Sequence, residues 1–412
     1  MIPRMFTNIR FYDAIKVLMS IYKNEQEVLN ELRVNLENIL KVKHIKFHKS
    51  GTEALVYVLK AINVENKEVI VPAYTCASVV KAVLMAGAKV KFVDVDLETY
   101  NISPESLEER ITGDTKAIVV IHMFGNPADM DSIMKIAKRN GLYVIEDAAQ
   151  ALGATYKGKP IGTLGDAAIF SLGIGKGIGY SGGVSIFNLN SIIDPCNLDN
   201  SYYNRSNFMD KTSSELAAFK DMVVIILFSS HLYNKIIRTY LEYMLKLKDK
   251  GLLIQIEHLF KGEHYNIKAE IGSIPKISAL VANERLKKIR QIIEIKRKNA
   301  RLLRSYLENT DVHLQEEYPE GESSYTRFCL LLRSNVNREL LRNYLCKRGI
   351  DTEEMYPYIR KLLQICKEDI KRFPNALYIA ERNITLPIHT WLREEDIKYI
   401  AFNFLKALHE LS

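Results

Sequence analysis

Between Glu68 and Asp147, short β-rich apolar runs alternate with stretches whose apolar residues recur at helical spacing. That alternation predicts a parallel sheet wound by crossover helices. VIVP at 69–72 is the first expected strand. Val79, Val80, Val83 and Leu84 then share one helical face, and Gly87 is placed to end that helix as its C′ residue. AKVKFVDVD follows as a second strand, after which Ser103 and Pro104 supply the N-cap and first position of a short helix carrying Leu107 and Ile111. KAIVVIH at 116–122 is the third strand. A helix with Met130, Ile133, Met134 and Ala137 facing inward stops near Gly141, and LYVIED at 142–147 is the fourth strand.

Past Asp166 the pattern changes to two short strands, AAIFSL and GGVSIF, flanking a glycine-rich turn that holds Lys176. From Asn283 a long helix bearing Leu286, Ile289, Ile293, Leu302 and Leu303 leads to a strand, RFCLLLR, and further helices. The expected fold is α/β: a large domain with a mostly parallel central sheet wound by helices, and a smaller C-terminal α/β domain. The expected divisions are an N-terminal helical segment over 1–40, the large domain over 41–282 with a helical insertion at about 191–268, and the small domain over 283–412.

Length and composition narrow the class. At 412 residues and 47% hydrophobic, the chain can bury a large core, so disorder is excluded as a first reading. The formal net charge of +8 suits an anionic small molecule or an acidic surface, but no basic tract with interleaved aromatics supports nucleic acid. Cys76, Cys196, Cys329, Cys346 and Cys366 are odd in number and contain no C-x-x-C pair, which points to a reducing cytoplasm and away from zinc. Charges break every apolar run at the start of the chain, as a signal peptide would not allow, and the apolar run from Met222 to Phe228 falls short of a spanning helix. In the insertion, Phe228, Leu232, Ile236, Ile237, Tyr240 and Leu241 form one stripe with Lys235, Arg238, Lys246 and Lys248 nearby. Such a stripe fits a buried or dimer-contact helix, and it also fits peripheral docking on an anionic membrane.

Three constellations could carry chemistry. Ser50-Gly51-Thr52 opens a helical run, where free N–H groups and the positive dipole end can seat a phosphate; an ordinary capped helix reads the same way. Asp147 ends a buried strand beside Ala148, Ala149 and Gln150, so its carboxylate needs a cation, either a protonated ring nitrogen or a structural salt bridge. Lys176 lies in Ser171-Leu172-Gly173-Ile174-Gly175-Lys176-Gly177, flanked by glycines, as an amine held close to a ligand or as part of a surface hairpin. GIGKG is no P-loop, because glycine follows the lysine and Phe170 stands where the first glycine belongs. Gly177-x-Gly179-x-x-Gly182 runs into a strand and so is no dinucleotide fingerprint. No H-E-x-x-H or G-x-S-x-G motif supports metal or triad chemistry.

Taken in order, SGTEAL, VPAYTCASVVKAV, GAKVKFVDVD, VIEDAAQALGATYKGKPIGTLGDAAIFS and Lys176 resemble the DegT/StrS family of nucleotide-sugar aminotransferases. The likeness runs from about Phe47 to Phe187 and resumes after Ile271. It implies a fold-type-I, pyridoxal 5'-phosphate (PLP) dependent aminotransferase, a homodimer with composite sites, moving an amino group from glutamate to a keto-sugar nucleotide for surface glycans. It implies that Gly51, Thr52 and Ser171 hold the phosphate and that Asp147 pairs with the pyridine nitrogen. Gln150 would contact the 3-oxygen, and Lys176 would carry the cofactor as a Schiff base and shuttle the proton. No metal is implied. A non-sugar or lipid-linked carbonyl substrate, a sugar dehydratase and a non-catalytic PLP-binding regulator are the alternatives, the dehydratase being disfavoured by Lys176. The chain departs from the family at Cys76, where relatives place a ring-stacking aromatic, and at Ser181, where they place an acid. It departs also near Gly272-Ser273, where they place a cross-subunit asparagine, and in the insertion.

Overall fold

The computed structural model describes residues 2–3, 19–20, 22–173, 175–176, 178–179, 181–188, 235–261, 273–333 and 336–411. After an N-terminal helix, α1 (Glu25–Leu40), strand β1 (Ile45–His48) leads to α2 (Gly51–Ala61). The winding units follow as β2 (Glu68–Pro72), α3 (Ala77–Met85), β3 (Lys89–Val93), α4 (Pro104–Arg110), β4 (Thr115–Ile121), α5 (Met130–Asn140) and β5 (Tyr143–Asp147). A short pair, β6 (Thr155–Tyr156) and β7 (Lys159–Pro160), precedes β8 (Ala167–Ser171) and β9 (Gly183–Phe187).

Seven strands form one sheet in the order β1-β9-β8-β5-β4-β2-β3. Every neighbouring pair from β8 to β3 is parallel, while β9 runs antiparallel to both β8 and β1. Two reversals restore direction, so β1 points the same way as the parallel set. Its carboxyl end therefore delivers Ser50 and Gly51 to the same edge as the ends of β5 and β8, where Asp147 and Ser171 lie. The central strands are buried on both faces: Ile118 and Val120 face one core cluster and Ala117, Val119 and Ile121 the other.

The helix signals read from sequence are the ones that operate. Ser103 caps α4, with Pro104 at its first turn. Gly141 ends α5 in the left-handed region at φ 64°, and Asp129, which the sequence reading did not single out, caps its start by accepting from Ser132 N–H. Gly87 follows α3 at φ 80°, where a Cβ would be strained.

The long helix expected from Asn283 is instead two helices, α7 (Lys276–Leu286) and α8 (Ile289–Leu307). Burial explains the break. Nearly all of α7 is enclosed, whereas α8 buries one face, and a single straight helix cannot serve both environments. A turn at Lys287–Lys288, closed by Lys288 N–H on the Arg285 carbonyl at 2.9 Å, redirects the chain. Beyond it, β10 (Val312–Leu314), β12 (Phe328–Leu332) and β13 (Asn383–Leu386) form an antiparallel sheet, while β11 (Gly321–Glu322) joins β6 and β7. That sheet shares a core cluster with α8 and the helix Glu394–Leu411, through Leu303, Leu330, Ile384 and Phe404.

Of the insertion, the described part is one helix, α6 (Lys235–Phe260). It packs on α3, where Lys81 Nζ donates to Gln255 Oε1 at 2.7 Å, with Leu253 and Ile256 buried. Phe228 and Leu232 lie outside the described residues, as do the side chains of Lys235, Ile236, Ile237, Arg238, Tyr240 and Leu241. Among the described residues no helix is long and apolar enough to cross a membrane.

Candidate active site

The first wall of the site is backbone. Ser50 caps α2, its Oγ accepting from Glu53 N–H at 3.2 Å, while the Glu53 carboxylate accepts from Lys49 N–H at 2.9 Å. This reciprocal arrangement fixes the first turn. Gly51 and Thr52, the first two helical residues, carry N–H groups that no carbonyl of their own helix can take. Across from them stands Ser171, whose Oγ accepts from Gly173 N–H at 3.3 Å. A Cβ at Gly51 would lie 3.1 Å from the Ser171 Cβ and 3.4 Å from its Oγ, so any larger residue there would have to push Ser171 back by a few tenths of an ångström. Gly183 is pinned likewise, since a Cβ there would meet the Ser50 carbonyl oxygen at 2.1 Å. Gly51 and Ser171 thus face each other at a helix N-terminus, with Thr52 next in the same first turn.

The second element is the end of β5, where two adjacent carboxylates have opposite surroundings. Glu146 is saturated. Its Oε1 accepts from Leu164 and Gly165 N–H at 2.6 and 2.7 Å, and its Oε2 from Gly162 N–H at 2.8 Å and from His122 at 3.1 Å. Because His122 Nδ1 accepts from Ala128 N–H at 3.1 Å, the ring proton lies on Nε2 and donates to Glu146. Asp147, also buried, accepts from Ala149 N–H at 3.0 Å. Burial raises its pKa above the ordinary carboxylate range, against the pull of that N–H, of Lys176 and of His122. Asp147 is a carboxylate prepared for a cation.

The third element is the turn between β8 and β9. Lys176 N–H closes on the Gly173 carbonyl at 3.2 Å, and Gly175 sits at φ 89°. The Lys176 side chain is half-buried. Desolvation lowers its pKa first; Cys76 and Asp147 oppose the shift, and Arg327 and Lys248 add to it. The free amine is therefore available at a lower pH than in an ordinary lysine. Ile174 and Gly177, beside it in sequence, lie outside the described residues.

Gln150, the last expected residue, donates from Nε2 to the Tyr356 hydroxyl at 3.1 Å. Sequence reasoning missed Tyr356. It is buried, stands in the left-handed region at φ 52°, and feels the fields of Cys76 and Asp147. A bulky residue occupies that region where packing imposes it. Tyr356 comes from a loop more than two hundred residues away, and only Pro357 beside it marked a turn. Arg327 was missed too, having been read as the first residue of a strand; its Nη1 donates to the Gly175 carbonyl at 3.1 Å. Cys76 precedes α3, with Sγ 3.0 Å from the Ser78 hydroxyl. Its neighbour Thr75 has a fully buried hydroxyl that meets no hydrogen-bond partner among the described residues. At the other departures, Ser181 Oγ lies 2.8 Å from Ser278 Oγ, Ser273 is exposed, and Gly272 lies outside the described residues. No group of three metal-ligating side chains occurs among the described residues.

Comparison with known proteins gives a consistent picture. The profile of the DegT/DnrJ/EryC1/StrS aminotransferase family matches residues 14–201 and 240–404. GDP-perosamine synthase of Escherichia coli O157:H7 is 30% identical over 356 residues, which is 85% of this chain and 82% of that one. The UDP-N-acetyl-3-dehydro-alpha-D-glucosamine 3-aminotransferase of Acidithiobacillus ferrooxidans is 27% identical over 362 residues, covering 87% and 83%. Among solved structures, the apo form of the sugar aminotransferase Spr1654 from Streptococcus pneumoniae superposes with a TM-score of 0.75 at 21% identity, covering 100% of this chain and 98% of that one.

Proposed function

Since the chain belongs to the DegT/DnrJ/EryC1/StrS family of PLP-dependent aminotransferases, we propose that it transfers an amino group from L-glutamate to the keto carbon of a nucleotide-linked sugar. It would act as a homodimer in the cytoplasm, supplying amino sugars for surface glycans. The two relatives above are named for GDP- and UDP-linked sugars. The substrate class therefore carries over, and the nucleotide does not.

The residues at the sheet edge fit the cofactor. The cradle of Gly51, Thr52 and Ser171 suits its phosphate, Asp147 suits a protonated ring nitrogen, and the unpartnered Thr75 hydroxyl marks a place for a polar ligand atom. When bound, PLP supplies a carbonyl for the donor amine and a sink for the electrons of the carbon that loses its proton. The protein does the rest. Asp147 Oδ holds positive charge at the far end of the ring, and Gln150, steadied by Tyr356, orients the 3-oxygen side. Lys176 Nζ, its pKa lowered by desolvation, takes the proton from the substrate carbon and returns it one atom away. Burial of Asp147 strengthens the field that it and Lys176 exert on each other.

The observation that carries this reading is the pairing of a desolvated lysine with a desolvated, nearly unpaired carboxylate at a parallel-sheet edge, next to a glycine-serine cradle. Borohydride reduction of the PLP-loaded protein, followed by peptide mass spectrometry, tests it. A pyridoxyl adduct on Lys176 is expected, and its absence ends the assignment. Glutamate-dependent amination across a panel of GDP-, UDP- and dTDP-linked keto-sugars then tests the acceptor, with a ketone lacking a nucleotide as the contrasting substrate.

A further inference from the structure

The helix α6 has two unlike faces. Its inward face is fixed to the protein: Leu253 and Ile256 are buried, Lys81 Nζ donates to Gln255 Oε1, Glu242 pairs with Arg342, and the helix also packs on Ile359–Ile365. Its outward face holds large apolar side chains in water. At 3.6 residues per turn, Tyr243, Leu247 and Ile254 fall within about 40° of one another around the helix, and Met244 lies beside them. They are 60, 46, 41 and 45% exposed, respectively. Exposed apolar residues scattered singly need no explanation, but these four form one stripe roughly 16 Å long. Lysines border it, Lys246 and Lys250 along one edge and Lys248 along the other, all exposed. Of the acids on α6, Glu242 is held by Arg342, Glu257 by Lys261 Nζ at 2.9 Å, and Asp249 is half-buried. None of the described exposed residues of α6 is acidic.

An apolar stripe edged by lysines, on a helix anchored along its opposite side, has the chemistry of a helix that lies in the plane of a membrane surface. We propose that the outward face of α6 docks this protein on an anionic phospholipid membrane. Tyr243, Leu247 and Ile254 enter the boundary between headgroups and acyl chains, while Lys246, Lys248 and Lys250 meet the lipid phosphates. Three lysines without an exposed acid supply the charge complementarity, and the formal net charge of +8 adds attraction at longer range. The contact is one helix face deep, because the other face of α6 is committed to the protein. A second copy of the chain is a poor occupant. A twofold contact would set this face against itself and bring its lysines together with no acid between them. Docking draws on nothing at the sheet edge, so it stands or falls apart from the aminotransferase chemistry.

The test is co-sedimentation of the full chain, loaded with PLP, with vesicles of phosphatidylcholine alone and of phosphatidylcholine mixed with phosphatidylglycerol. At about 0.1 M salt the mixed vesicles should bind at least about tenfold more tightly. That preference should vanish at about 1 M, where the Debye length falls from about 10 to about 3 Å. A lysine close to an anionic surface is worth about fivefold in partitioning, so Lys246→Gln combined with Lys250→Gln should weaken binding by about twenty-five-fold. Leu247→Gln should weaken it by about tenfold, and Leu247→Phe should retain it. Because these side chains are exposed, every variant should keep the wild-type Tm, which separates lost docking from lost folding. Equal binding to both kinds of vesicle overturns the proposal, as does binding to neither or binding that survives the lysine and Leu247→Gln substitutions. It is also overturned if Leu247→Gln lowers the mass of the vesicle-free protein in sedimentation, because a second copy then covers the face. No readout requires turnover, so a failure to aminate sugars would leave the docking surface standing.

Discussion

The two walls of the site are made of different material. Along the sheet edge the holding groups are largely main chain: the N–H groups opening α2, the Gly51–Ser171 approach, and the strand ends that place Asp147. The other groups are long side chains: Arg327 at the start of β12, which donates to the Gly175 carbonyl, and Tyr356 in the loop before the helix Ile359–Ile365, whose hydroxyl accepts from Gln150. Backbone donors cannot be mutated away without moving the fold, whereas side chains on helices and loops can be exchanged one at a time. On the proposed reading, such a fold can hold its cofactor through main chain while side chains on the other wall are exchanged. Relatives at 27 to 30% identity bearing GDP and UDP in their names are what that division would produce.

The sharpest way to break the comparison is at Lys176, the side chain that the proposed mechanism cannot replace. Lys176→Ala is expected to slow the glutamate half-reaction by at least about a thousandfold, read as the rate of the cofactor absorbance change in single turnover. The fold should be unaffected. A half-reaction within an order of magnitude of wild type would remove the lysine from the mechanism.

The next effect separates the two carboxylates of β5. Asp147→Asn should cost roughly a hundredfold or more in the same half-reaction, since it removes the counter-charge of the electron sink. Yet the cofactor-free protein should become more stable. The pKa of Asp147 is raised on folding, so its stabilising contribution is complete only at a pH below the unfolded carboxyl pKa. That contribution is lost as pH rises through the folded value, and at neutral pH the buried charge is a cost that asparagine relieves. Glu146→Gln should do the reverse. A glutamine amide would meet N–H donors where the carboxylate now accepts four hydrogen bonds, at a cost of about 3 kcal/mol in urea unfolding. If both variants lose stability equally, the distinction between a structural and a prepared carboxylate fails.

Legibility in the sequence followed the same division. The winding units from Glu68 to Asp147 and the caps at Ser103 and Gly141 could be read because each depends on neighbours within a few positions, whereas Ser171, which meets Gly51 across 120 residues, came only with the family resemblance. The break at Lys287–Lys288 could not, because α7 and α8 continue one helical period and differ only in what surrounds them. Tyr356 and Arg327 escaped for a related reason. Their chemistry comes from meeting Gln150 and Gly175 across 206 and 152 residues, and a tyrosine before proline or an arginine opening a strand reads as ordinary. Glu146 drew no reading of its own beside Asp147. Only the loop Gly162–Gly165, folded back onto the first, shows that they have different tasks.

The smallest effects probe the cradle itself, where a cap and a seat share one helix turn. Ser50 satisfies the Glu53 N–H and takes no part in closing the approach between Gly51 and Ser171. Ser50→Ala should therefore cost about 1 kcal/mol of stability, as lost N-caps do, with cofactor affinity nearly unchanged. Gly51→Ala adds a methyl 3.1 Å from the Ser171 Cβ, which must move by a few tenths of an ångström and carry its hydroxyl with it. Alanine suits a helix better than glycine, so the fold should lose little. The affinity for PLP, measured by dialysis and absorbance, should nonetheless fall by about tenfold, or roughly 1.4 kcal/mol. If Ser50→Ala instead released the cofactor while Gly51→Ala retained it, the phosphate would be held by the cap hydroxyl and not by the glycine-lined N–H groups. The first wall would then be side chain after all.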